Sequence, residues 1–263
     1  MEDYMKKYDQ LDKRVVYHFT IGQGGIGDCI KFFVYLLQLC IQYNYKLHYL
    51  IQDIPIEQLL RLKEEKMYIH YEELSNPRKI VNATDIPFIT IGDSIVNPDI
   101  FYSFFYNELI DLKIEDVFYF TDLVKQNVTK IMESPITKYT SVHLRLGDKY
   151  LETDKEYVLC KYDVRSFSEL KLFDFLEKNE SDTILFFCDN HEYKQRMKKK
   201  YKKLILTNSD IGHTSLSNTT YKQTVDSVTE FYIMIHSEKI VAVSSSGFSE
   251  IASKFKKIPL LKL

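Results

Sequence analysis

Short apolar runs alternate along this chain with stretches whose apolar positions recur every three or four residues, the pattern of alternating strands and helices. Residues 15–21 (VVYHFTI) read as a strand. From 28 to 43, Ile30, Phe33, Val34, Leu37 and Ile41 fall near a 3.6-residue spacing and predict a buried helix. A second strand is expected at 46–52, and Pro55 opens a helix carrying Leu59, Leu60 and Leu62. Short strands are expected at 68–71 and 88–91, an aromatic helix at 100–110 and another helix at 121–132.

Ser134-Pro135-Ile136-Thr137 is the best internal break, because proline stops the helix before it. The second half repeats the alternation, with strands at 139–144, 183–187, 203–206, 239–243 and 258–261 and helices at 167–177, 191–201, 220–236 and 248–255. Residues 207–221, rich in Ser, Thr, Asn and Gly, read as a surface loop. Apolar strands separated by helices favour parallel sheets covered on both faces. The expected architecture is α/β and bilobed, 1–134 and 135–263, with a cleft between the lobes.

Three strand-to-helix turns carry candidate chemistry. Gly22-Gln23-Gly24-Gly25-Ile26-Gly27 satisfies G-x-G-x-x-G, and small residues there let backbone N–H groups face an anion at a helix start. Asp53 ends the next strand, where an acidic ribose ligand stands in a dinucleotide fold. Asp28 repels an anion unless it turns to a cap or to an acceptor hydroxyl. The strand 141–144 ends in His143, Arg145, Gly147 and Asp148, placing a guanidinium suited to gripping phosphate beside a turn glycine and a carboxylate. Ser244-Ser245-Ser246-Gly247-Phe248-Ser249-Glu250 offers hydroxyls and free N–H groups at a third helix start, which also suit a plain serine cap. Asp189, in Cys188-Asp189-Asn190, either accepts from a base such as guanine or caps the next helix. The lysines of 194–203 read as a solvated helix face.

Composition narrows the classes. The 263 residues are 45% hydrophobic and 27% charged, ordinary globular values, and a net charge of -2 argues against a protein dominated by nucleic-acid backbone binding. Cys29, Cys40, Cys160 and Cys188 show no CxxC spacing and read as buried free thiols in a reducing compartment. No transmembrane run and no apolar signal-peptide core is read, so a cytoplasmic place of action is expected. No Trp beside 20 Tyr fits an AT-rich, viral or protist genome, which would make that the host cytoplasm.

Taken in order, Gly24-Gly25-Ile26-Gly27-Asp28, His143-Leu144-Arg145-Leu146-Gly147-Asp148 and Ser245-Ser246-Gly247-Phe248-Ser249 resemble the GDP-fucose-dependent fucosyltransferase superfamily, which comprises the α1,2-, α1,6- and protein O-fucosyltransferases. The resemblance spans most of the chain through short motifs. It implies a GT-B fold of two Rossmann-like lobes, with the acceptor on 1–134 and the nucleotide-sugar donor on 135–263. It further implies inverting, metal-independent transfer of fucose to a glycan hydroxyl, with no cofactor beyond the GDP-fucose substrate. Arg145 would hold the β-phosphate, Asp189 would recognise guanine, and Ser245, Ser246 and Phe248 would line the diphosphate site. Gly24, Gly25, Gly27 and His143 complete the expected donor site, and Asp28 and Asp148 are the carboxylates placed to meet an acceptor hydroxyl. The chain departs from the family pattern at Asp28 (usually Asn), Cys29 (usually Gln), Leu146 (a second Arg in the α1,2 and α1,6 groups) and the inserted Gly247. Two other readings stand beside this one: an NAD(P)-dependent enzyme built on Gly22, Gly24, Gly27 and Asp53, and a degenerate nucleotide-sugar-binding protein without activity.

Overall fold

Two four-stranded parallel sheets organise the computed structural model, which describes residues 1–73, 79–81, 94–96, 108–132, 135–147, 164–214 and 216–263, with backbone alone at 79–81 and 94–96. The first half contains α1 (Glu2–Lys7), β1 (Arg14–Phe19), α2 (Ile26–Tyr43), β2 (Lys46–Ile51), β3 (Leu60–Leu62), β4 (Lys79–Val81) and β5 (Ser94–Val96). It continues through α3 (Ile114–Val117), β6 (Phe118–Phe120) and α4 (Asp122–Ile131). The second half contains β7 (Thr140–Leu144), α5 (Glu169–Lys178), β8 (Ile184–Cys188), α6 (His191–Lys200), α7 (Tyr221–Met234), β9 (Lys239–Ala242), α8 (Gly247–Phe255) and β10 (Leu260–Lys262). The first sheet has the order β2-β1-β5-β4 and the second β10-β9-β7-β8.

Side-chain alternation decides which layer each strand faces. In β7, Val142 and Leu144 enter an apolar cluster with Leu172, Phe175, Tyr193 and Met197 of α5 and α6. Ser141 and His143 point the other way, and His143 stacks on Phe248 of α8. On that face α7 and α8 contribute Val228, Phe231, Ile251 and Phe255 to a second cluster, which also holds Tyr17, Phe33, Tyr49 and Phe118 of the first half. A single hydrophobic core therefore runs from the first sheet, through α2 and α4, to the α7–α8 face of the second.

A polar seam crosses the same interface. Asn127 on α4 donates from Nδ2 to Asp226 (2.9 Å) and to Thr229 (3.1 Å) on α7, and all three residues are buried. At 18 residues, α2 is long and apolar enough to span a bilayer by composition, but here it is mostly buried as a core helix.

Several elements differ from the sequence expectation. The helix that Pro55 opens is a single 3₁₀ turn, Pro55–Gln58, and it gives way to β3, which pairs antiparallel with β6. Leu60 and Leu62 are buried on either side of a half-exposed Arg61, a strand's period of two rather than the continuation of the helix. Residues 68–71 supply one bridge, Tyr68 to Tyr49, and 203–206 supply one, Ile205 to Leu185. The helix at 121–132 is α4, and α2 starts at Ile26, two residues earlier than the periodicity alone gives. The expectations at 88–91 and 100–107 lie outside the described residues. Cys29, Cys40 and Cys188 are buried and free, and Cys160 lies outside the described residues.

Because Asn127 satisfies a buried carboxylate, Asn127→Ala is expected to lower stability by about 2 kcal/mol. Urea unfolding of the two proteins checks this; coincident midpoints would mean the α4–α7 seam draws nothing from this contact.

Candidate active site

Parallel strands end together, so the turns that follow β7, β8 and β9 meet at one edge of the second sheet. There the carboxylate of Asp189, after β8, accepts from the Leu146 N–H (2.8 Å), the Gly147 N–H (3.1 Å) and the Arg145 guanidinium (2.5 Å). Ser244, after β9, grips the Arg145 backbone from the other side, accepting from its N–H (2.9 Å) and donating to its carbonyl (2.7 Å). Gly147 has φ +115, a conformation the turn could not impose on a residue with a side chain without strain. Arg145 is thus fixed in both backbone and side chain, while 15% of its side chain stays exposed against 4% for Asp189. These contacts give Asp189 a positioning role at the Arg145 turn, with each of its oxygens accepting from that turn.

The glycine turn of the first half approaches this edge from across the core. A Cβ on Gly27 would stand 2.7 Å from the carbonyl oxygen of Gly247 and 3.0 Å from the Phe248 nitrogen, so the first turns of α2 and α8 are in backbone contact. Gly24 has φ +113, and a side chain there would also strike the Asp28 carboxylate. Asp28 caps α2, accepting from the Gly25 N–H (3.2 Å), and pairs with Lys31 (2.9 Å). Its negative charge is therefore met before any anion arrives. At α8 the cap is Ser246, which accepts from the Phe248 N–H (3.3 Å).

Between the two halves lies a cavity of about 800 Å³. Its lining includes Gly24, Gly25, Gly27, Asp28, His143, Arg145, Asp189, Ser245, Ser246 and Phe248, so the structure brings together every candidate site residue except Asp148, which lies outside the described residues. Asp53 is exposed and is not among the residues that line this cavity.

Burial takes the His143 imidazole down to about 4, with the Asp189 charge opposing the shift and the Arg145 charge adding to it. At neutral pH His143 is uncharged, and its buried Nδ1 has no hydrogen-bond partner among the described residues. Burial also holds the Cys188 thiol well above its ordinary value, so it stays protonated beside Asp189.

Sequence reasoning missed several cavity residues. Arg165, whose N–H donates to the Leu146 carbonyl (2.8 Å), adds a second guanidinium to the wall. His213 and Thr214 come from the loop before α7. Glu230, on α7, accepts at Oε1 from Lys194 (3.2 Å) and from the hydroxyls of Thr207 and Ser209, while Oε2 meets no partner among the described residues. Lys194 is buried by this pairing, contrary to the solvated-face expectation; the other lysines of its helix gave no sign of it. Among the described residues no three His, Cys, Asp or Glu side chains cluster as metal ligands.

No protein-family model matches this chain, and no curated protein matches it by sequence. Its fold is shared with solved fucosyltransferases. An arginine-to-lysine mutant of Arabidopsis thaliana FUT1 in complex with GDP matches 100% of this chain and 75% of its own, with a TM-score of 0.58 at 12% identity. NodZ from Bradyrhizobium matches 92% of each chain with a TM-score of 0.59 at 10% identity. POFUT1 in complex with GDP matches 96% of this chain and 99% of its own, with a TM-score of 0.54 at 12% identity. The shared fold is the α/β, GT-B type of these enzymes, built on mostly parallel sheets.

Gly27→Ala is expected to cost about 1–3 kcal/mol, because its methyl meets backbone and the two halves must part. Gly25→Ala, whose nearest contact would be 3.8 Å, is expected to stay within about 1 kcal/mol of wild type. Equal melting temperatures for the two variants would show that the α2–α8 contact is not tight.

His143 makes a second prediction. Its folded value lies below its unfolded one, so its contribution is complete above about pH 6.5 and is lost as pH falls toward 4. The loss amounts to about 3 kcal/mol at most. In His143→Gln, stability measured by denaturant unfolding should fall less steeply between pH 6.5 and 4; parallel profiles would show that the histidine takes up its proton freely in the folded state.

Proposed function

We propose that this protein is a glycosyltransferase that moves fucose from GDP-fucose to a glycan hydroxyl, with inversion and without a metal ion. The observation that carries this reading is Arg145, locked by Asp189 and Ser244 at a strand end and lining a cavity that also meets the N-terminus of α8. A guanidinium and helix-start amides together neutralise a leaving diphosphate. Fucosyltransferases of the same fold support it: FUT1 and POFUT1 are described with GDP, and NodZ soaked with GDP-fucose.

In such a transfer the acceptor oxygen attacks C1 of fucose from the face opposite the diphosphate. The C1–O bond to the β-phosphate breaks, GDP leaves with the electron pair, and the hydroxyl proton passes to a base. Arg145 stabilises the charge that grows on the phosphate oxygen, with Ser245, Ser246 and the Phe248 N–H on the same wall. Asp28 and Asp148 remain the candidate bases, Asp28 already committed to Lys31 and to its cap. Lobe 1–134 then offers the acceptor side and 135–263 the donor side.

Guanine presents N1–H and a 2-amino group, two donors on one edge. The free Oε2 of Glu230 is the carboxylate oxygen in the cavity suited to them, held in place because Oε1 is anchored three times. The guanine-reading role passes in this proposal from Asp189 to Glu230.

Thermal unfolding with a nucleotide panel tests the whole reading, since a ligand that binds only the folded state raises its stability in proportion to ln(1 + [L]/Kd). GDP and GDP-fucose are expected to raise the melting temperature with EDTA present; NAD is expected to leave it unchanged. Inosine diphosphate, which lacks the amino group, should bind about tenfold more weakly than GDP. Arg145→Ala is expected to keep its circular dichroism spectrum and to lose transfer by at least about 100-fold. Near-normal turnover in that variant, or a shift with NAD alone, would overturn the assignment.

A further inference from the structure

One wall of the cavity is the loop that leads into α7, described at 207–214 and 216–219, and hydrogen bonds at both ends hold it in shape. The Asp210 N–H donates to Asp226 (3.0 Å), Gln223 donates to Asp210 (3.2 Å), and Ser227 donates to the Gly212 carbonyl (3.0 Å). The His213 carbonyl accepts from the Thr219 hydroxyl (2.6 Å) and from the Leu216 N–H (3.0 Å). Gly212 lets the loop close on itself: a Cβ there would lie 2.7 Å from Thr219 and 3.0 Å from Gln223.

Within this frame Thr214 is 4% exposed and lines the cavity, and its hydroxyl has no hydrogen-bond partner among the described residues. Buried polar atoms are almost always paired, because leaving one unpaired forfeits its hydration without return. A fixed loop that retains such a hydroxyl at a cavity wall provides for a partner from outside the protein. The hydroxyl's neighbours indicate which kind. It lies 3.9 Å from the Cβ position of Gly25, whose N–H is given to the Asp28 carboxylate, and Glu230 lines the same cavity. The same Gly25 position lies 3.8 Å from the His213 imidazole, and a hydroxyl, which both donates and accepts, pairs fully with a group that does the same.

We propose that Thr214 Oγ1 is a specificity contact that reads a hydroxyl of the bound sugar nucleotide. The inference rests on the nucleotide-sugar reading of the cavity and adds a subsite to it. The hydroxyl belongs either to the ribose or to the transferred sugar, and the ligands of the test tell these apart.

Titration calorimetry of wild type, Thr214→Val and Thr214→Ser with GDP, 2′-deoxy-GDP, 3′-deoxy-GDP and GDP-fucose provides the test. Thr214→Val removes the unpaired hydroxyl at nearly constant volume, so the ligand-free protein should melt at or above the wild-type temperature. The same variant should bind GDP-fucose about tenfold more weakly, and Thr214→Ser should recover most of the loss. A loss shared by GDP and absent for one deoxy analogue places the hydroxyl on the ribose; a loss confined to GDP-fucose places it on the transferred sugar. Unchanged affinity of Thr214→Val for every ligand, with normal wild-type binding, overturns the role of Thr214 alone. Failure of the wild type to bind GDP overturns the reading beneath it.

Discussion

The site depends on a contact made without side chains. Gly27, in the first turn of α2, lies against the backbone of Gly247 and Phe248 in the first turn of α8, closer than any Cβ would permit. Helix starts present unpaired N–H groups and the positive end of the helix dipole, so two of them repel unless something between them carries the opposite charge. Asp28 supplies part of that charge at α2, capping Gly25 and lying within 3.6 Å of the Cβ position of Gly247. An anion bound in the cavity beside them would supply more. The close approach of two positive helix ends is a local cost, offset by the core that Phe33, Tyr49, Phe118, Phe231 and Phe255 build behind it.

The same reasoning bears on how heavily Arg145 is held, given its proposed role. A guanidinium that must meet a developing charge loses effectiveness if it has to reorganise as the charge appears. Asp189 orients it and takes the turn's N–H groups, while Ser244 closes the backbone from β9, so strands β7, β8 and β9 each contribute one fixed point. Ion pairing with Asp189 offsets part of the positive charge of Arg145. Arg165, tethered to the carbonyl of Leu146, adds a cation to the same wall.

What the sequence made legible follows from range. Arg145, the serine turn and the glycine turn each lie within a few residues of a strand end, so local pattern was enough to find them. The antiparallel pairing of β3 with β6 joins Leu60 to Phe120, and no local signal reports it. Asp189 was visible as a residue, but its contact with Arg145 was not, because the two lie 44 positions apart. Lys194 and Glu230 were invisible for a different reason. A lysine among lysines and a glutamate in an amphipathic helix read as solvent-facing, and only the packing of α6 and α7 against the loop between them buries the pair. Thr214 sits in a Ser- and Thr-rich loop where no periodicity distinguishes one hydroxyl from the next.

The departures from the family pattern bear on whether the protein is active or a degenerate binder, and the structure gives each a place. Leu146 substitutes an apolar side chain for a guanidinium, but position 146 serves the turn through its backbone N–H, which Asp189 receives whatever the side chain is. The leucine itself is buried in the cluster beneath β7, so it adds to the core that steadies Arg145. Asp28 in place of Asn keeps the cap on Gly25, which needs only an acceptor, and pairs its extra charge with Lys31. A chain that had lost its ligand would have no reason to keep Arg145 clamped on three sides, or to leave the His143 and Thr214 polar atoms buried and unpaired along one cavity. Those unmet groups are a cost to the empty protein, and they are better explained by a ligand that occupies the cavity than by decay of an old site.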